Sequence, residues 1–129
     1  MKGTKEDYIK YRISKSAEVF KDAKLLAKNK RWNSCVNRLY YSSFYMVNAL
    51  LYFSEIKAHT HNGAKTKFFQ EFIKTGKISR ENGKLYSNLL DWRQESDYAD
   101  FIKFDENTVK PLLKQVWELN HSIKKLIVL

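Results

Sequence analysis

Within DWRQESDYADF, residues 91–101, an arginine, an aspartate and a tyrosine stand close together: Arg93, Asp97 and Tyr98. A guanidinium presents paired N–H donors to a phosphate, and a carboxylate or phenol beside it can take part in proton traffic. The segment also reads as part of a helix. With Leu85 at the origin and about 100° per residue, Arg93 and Asp97 fall inside the arc of Leu89, Tyr86 and Leu90, and Tyr98 at its edge. A guanidinium turned into an apolar face is costly unless paired. Two arrangements satisfy that condition. Either Arg93 and Asp97 form a buried pair that locks helix packing, or the arc opens into a cleft and Arg93 holds a phosphate there.

Other residues carry weaker signals. Along 32–55, Tyr41, Tyr45, Asn48 and Tyr52 form a polar-tipped aromatic row. Any one of its tyrosines is an ordinary core residue, but as a group they offer stacking surface to bases. His59 and His61 stand two apart at a helix entry, where side chains diverge, with no acidic or cysteine ligand beside them, so no metal is expected. His61, in THNG, reads as a capping or packing residue, and His121 stands alone. No glycine-rich phosphate loop, GxSxG or paired-carboxylate signature occurs, and no cofactor is expected.

The elements that must position these groups are helical. Four glycines and one proline in 129 residues are too few for an all-β sandwich. Residues 5–29 carry a period near 3.6 through Tyr8, Ile9, Ile13, Ala17, Phe20, Leu25 and Ala27. Residues 32–55 are apolar on several sides, with stripes at Val36, Tyr40, Phe44, Val47, Leu51 and at Leu39, Met46, Leu50, Phe53. Such a helix must be surrounded, by a bundle or by a second subunit. Thr60 predicts an N-cap for a helix over 61–75 that buries Ala64, Phe68, Phe69 and Phe72 and ends at Gly76. A helix over 80–99 should bury Leu85, Leu89, Leu90 and Trp92. A last one over 107–127 turns Val109, Leu112, Leu113, Val116, Leu119 and Ile123 inward, with Pro111 in its first turn. The expectation is an all-α fold, an up-and-down antiparallel bundle of four to five helices in a single domain over 1–129.

Composition bounds the partners. The formal charge is +10. Ten basic residues face four acidic ones in 1–31, and seven face two in 32–80, whereas 81–100 is acidic. Such a field favours polyanions, RNA above all, although a lysine-rich surface serving only solubility has the same composition. The single Cys35 excludes an internal disulfide and fits a reducing cytoplasm. MKGTKEDYIK lacks an apolar signal core, and the run 39–53 is too short to span a bilayer.

Three segments in this order, RLYYSSFYMVNALL (38–51), THNGAKTKFFQEFIKTGKI (60–78) and LLDWRQESDYADF (89–101), resemble the HEPN superfamily over nearly the whole chain. The resemblance implies a helical bundle, a homodimer, and a minimal nucleotidyltransferase partner in a toxin–antitoxin pair. It also implies nucleotide or RNA binding. Many members are metal-independent endoribonucleases, with an arginine, a polar residue and then a histidine four to six positions after the arginine. Here Arg93 takes the arginine position and Gln94 the polar one, but positions 97–99 read Asp-Tyr-Ala, so the histidine is replaced. Asp97, Tyr98 or His61 would have to stand in for it. Beside Arg93, Asp97 should be too acidic to donate a proton near neutral pH. Tyr98 also stands near where some members receive AMP from the partner. The expected function is therefore a nucleotide- or RNA-binding HEPN homodimer, using Arg93, Arg38, Tyr41, Tyr45 and His61. A ribonuclease toxin centred on Arg93 and a purely structural subunit are the alternatives.

Overall fold

The structure, a computed structural model, describes residues 3–98 and 103–129, with the side chains of all of these except 95–98. Among the described residues there are five helices and no strand: α1 (Lys5–Lys28), α2 (Trp32–Phe53), α3 (His61–Phe68), α4 (Arg80–Tyr98) and α5 (Glu106–Leu126). A π-helical turn, Phe69–Ile73, extends α3. The all-α bundle expected from the periodicity is the fold. No helix among the described residues is long and apolar enough to cross a membrane.

Helix α2 is the axis of the molecule, packed against α1, α3, α4 and α5. Its many-sided apolar character has that cause: Val36, Leu39, Tyr40, Val47 and Ala49 are all fully buried along it. Helix α1 starts at a capping box, with Thr4 Oγ1 accepting from the Asp7 N–H and the Asp7 carboxylate accepting from the Thr4 N–H. Its buried seam is Ile9, Ser16, Val19 and Ala23. This corrects the expected stripe, since Ala17 is exposed and Leu25 is 61% exposed. Small residues decide the register. Ser16 Oγ donates to the Ser42 carbonyl at 2.6 Å, and Ser42 Oγ donates back to the Ser16 carbonyl at 2.9 Å. That reciprocal pair needs the two backbones close together, which a larger side chain at either position would prevent. Asn120 of α5 joins them, donating to Ser42 Oγ and accepting from Ser43 Oγ, both at 3.0 Å.

Thr60 caps α3 as expected, its hydroxyl accepting from the Gly63 N–H at 2.8 Å. The helix does not run evenly to residue 75, because the π turn inserts an extra residue into the ladder. That insertion lets Phe68, Phe72 and Ile73 all reach the core, while Phe69 is left only half-buried. Gly76 closes the turn at φ +79°, a left-handed conformation suited to glycine. Gly83 of α4 faces this turn, and a Cβ there would meet three carbons of Ile73 at 3.1 Å. On α4, Gly83, Tyr86, Leu89 and Leu90 are buried among the described side chains, and Leu85 and Trp92 are half-buried, against expectation. Helix α5 is capped by Asp105, whose carboxylate accepts from the Thr108 N–H at 2.9 Å. Pro111 is therefore in its second turn, not its first, and leaves one backbone acceptor without its helical donor.

Candidate site at the Arg93 and His61 cluster

Helices α2, α3 and α4 bring together residues far apart in sequence. Arg93 Nη1 donates to the Tyr41 hydroxyl at 3.2 Å. Its guanidinium carbon lies 5.5 Å from the ring centroid of Tyr40 and 5.8 Å from that of Tyr41. Arg38, at the start of the same stretch of α2, lies 5.2 Å from the Tyr41 ring, held by two bonds to Asn37 Oδ1 at 3.1 and 2.7 Å. Two permanent cations thus share one tyrosine, and all three residues are half-buried. Cation–π contact and the phenol dipole lower the cost of holding these guanidiniums partly out of water.

His61, the first residue of α3, closes the other side. Its Nδ1 lies 2.6 Å from the Tyr40 hydroxyl, and its ring stacks on Phe44 with centroids 4.3 Å apart. Burial, and then the positive charge of Arg93, pull its pKa below the ordinary histidine value. Near neutral pH the ring is uncharged. Burial pushes Tyr40 the other way, to about 12, so it remains a phenol. Tyr86, fully buried, influences the Tyr40 hydroxyl without closing a hydrogen bond of ordinary geometry. The Tyr40 proton is then best used toward His61 Nδ1. That fixes the tautomer with hydrogen on Nε2, a neutral donor suited to an anion's oxygen.

Of the residues singled out in the sequence, Arg93, Arg38, Tyr41 and His61 come together here. Tyr45 stands one turn beyond Tyr41, its ring 6.3 Å away and its centroid 5.5 Å from the Arg12 guanidinium carbon. The side chains of Asp97 and Tyr98 lie outside the described residues, and so does any contact of theirs with Arg93. Tyr40 and Phe44 belong to the cluster although the sequence reads them only as an inward stripe, and Arg12 was not singled out at all. Its spacing four residues after Tyr8 was the available signal, because the two lie on one face of α1.

Comparison with known proteins identifies the architecture. The HEPN domain family matches residues 9–126. The chain belongs to the HEPN family. A UPF0332 protein from Thermotoga maritima is 40% identical over 123 residues, covering 95% of this chain and 93% of that protein. A Methanocaldococcus jannaschii protein whose name marks it as a candidate toxin is 29% identical over 116 residues, covering 90% of this chain and 79% of its own. In this HEPN domain the arginine of the resemblance motif, Arg93, has a histidine in its neighbourhood. That histidine comes from α3, not from the four to six positions after the arginine.

Proposed function

We propose that this HEPN domain binds RNA, holding a backbone phosphate between Arg93, Arg38 and the Nε2–H of His61. The single observation carrying the proposal is the conjunction of two half-buried guanidiniums around Tyr41 with a neutral, Tyr40-bonded histidine. Positive charge in a partly dry recess is what a phosphodiester needs, and the surrounding rings supply stacking surface for its bases. The net charge of +10 supplies the long-range attraction. The protein acts as a homodimer beside a minimal nucleotidyltransferase, in a two-protein system of toxin–antitoxin type. The toxin-named relative supports that role.

A second reading follows from His61 being Arg93's neighbour. If the Tyr40–His61 proton arrangement reverses, Nε2 becomes a base able to deprotonate a ribose 2′-hydroxyl, and Arg93 then stabilises charge on the phosphorane. The protein would then be a metal-independent endoribonuclease using a histidine from another helix.

One experiment on purified wild type, Arg93→Ala and His61→Ala separates these readings. Affinity for a short single-stranded RNA is measured across a salt series, and the same mixtures are followed for cleavage in EDTA. Binding predicts that Arg93→Ala weakens affinity and reduces the magnitude of the salt slope by about 1, with no cleavage in any sample. Cleavage lost in both variants would establish the second reading. Unchanged affinity in folded Arg93→Ala would mean that the cluster is only packing.

A further inference from the structure

A recess of about 360 Å³ adjoins the cluster and shares Phe44 and His61 with it. It lies between the first half of α1, the second half of α2 and the segment 56–60 that leads into α3. That segment turns back over the helix ends because Glu55 takes a left-handed φ of 60° and the Ile56 N–H returns to the Leu51 carbonyl at 2.8 Å. The Lys5–Glu55 ion pair, 3.4 Å long, ties α1 to the same turn.

Three properties of the lining point to one ligand chemistry. Arg12 and Lys57 are cationic, and no carboxylate lines the recess among the described residues. Tyr8 and Tyr52 form an aromatic wall, their centroids 4.5 Å apart, and are 37% and 44% exposed. Arg12 braces that wall, donating twice to the Tyr8 hydroxyl at 2.9 and 2.7 Å. Third, the half-buried carboxamide of Asn48 has no hydrogen-bond partner among the described residues, although it lines a recess with room for one. Aromatic faces, cations without acids and an unused amide suit a nucleotide: base against ring, phosphate against cation, base edge against amide.

We infer that this recess is a nucleotide subsite selective for adenine, with Asn48 reading the base edge and Arg12 and Lys57 holding the phosphate. A carboxamide donates and accepts side by side, the pattern that meets adenine's N7 and N6 amino group in a bidentate contact. Asn48 is two turns along α2 from Tyr41, about 10 Å, so neighbouring nucleotides of one strand can occupy the two places. The inference rests on the RNA-binding reading when the adenine belongs to a strand. A free adenine mononucleotide presents the same chemistry.

The test titrates oligo(A), oligo(U) and AMP into wild type, Asn48→Leu, Arg12→Gln and Arg93→Ala, each first confirmed folded by circular dichroism. Wild type should bind oligo(A) roughly tenfold more tightly than oligo(U), within the range of a bidentate base contact. Asn48→Leu should remove that ratio, and Arg12→Gln should weaken both oligomers. Arg93→Ala should weaken both while keeping the ratio. A wild-type ratio near one, or a ratio that survives Asn48→Leu, overturns the subsite. If wild type binds neither oligomer, the RNA-binding reading fails by itself. AMP binding lost in Asn48→Leu would then support the subsite for a free nucleotide, and absence of AMP binding would overturn it.

Discussion

The Tyr40 hydroxyl and His61 Nδ1 stand 2.6 Å apart, joining the middle of α2 to the first residue of α3 directly beneath the Arg93 guanidinium. This contact decides the chemistry of the cluster. Tyr40 is wholly buried and held as a phenol, so its proton governs which nitrogen of His61 is available. A neutral histidine with Nε2–H donates to a phosphate; the opposite tautomer abstracts a proton.

Replacing Tyr40 by Phe keeps the ring packing and deletes this control. Loss of one buried hydrogen bond should cost about 1 kcal/mol, visible as a lower midpoint in urea with an unchanged m value. His61 is then free to populate both tautomers. Nitrogen-15 NMR of the imidazole should move from one dominant tautomer toward a mixture. An unchanged tautomer would mean that Tyr40 does not orient the ring.

Acid should destabilise the protein through His61. Its folded pKa lies below the unfolded value, so at mildly acidic pH the unfolded chain binds the extra proton and stability rises with pH. The contribution is complete above the unfolded value near 6.5 and is lost as pH falls from there toward the folded pKa. Urea midpoints of wild type should therefore fall between pH 7 and pH 5. His61→Asn should flatten the profile in that window. An equal decline in the variant would assign the acid sensitivity to other groups.

The serine seam between α1 and α2 should be more sensitive than its size suggests. Ser42→Ala removes the donor to the Ser16 carbonyl and the acceptor used by Asn120, leaving buried and half-buried polar atoms short of partners. Each such group costs roughly 1–3 kcal/mol, so a loss of about 2 kcal/mol is expected in denaturant unfolding. A neutral substitution would mean that the seam relaxes or admits water.

Adding a methyl group at Gly83 tests the π turn. Alanine there gains about 1 kcal/mol in helix propensity, but its Cβ would press on three Ile73 carbons at 3.1 Å. Ile73 is packed into the turn, and overpacking of this kind typically costs about 1–3 kcal/mol. Gly83→Ala should therefore be neutral to destabilising, where an exposed helical glycine would give a clear gain. A clear gain here would show the turn to be pliable.

Helix number, approximate limits and the Thr60 cap were determined by the sequence alone, because periodicity and capping act over neighbouring residues. Arg93 was legible as well, since a guanidinium inside an apolar arc is conspicuous from spacing. The buried face of α1 was not. It follows a hydroxyl pair spanning 26 residues, and hydrophobicity ranks Leu25 above Ser16 although packing puts Ser16 inside. The π turn was equally hidden, because a run rich in phenylalanine satisfies an ordinary helix and a π turn alike. The neighbours of Arg93 were decided only in three dimensions. Its bond to Tyr41 spans 52 residues, and the Tyr40–His61 contact spans 21. Which aromatic ring meets which cation depends on how α3 and α4 settle against α2. That is a matter of whole-helix packing, and no local pattern encodes it.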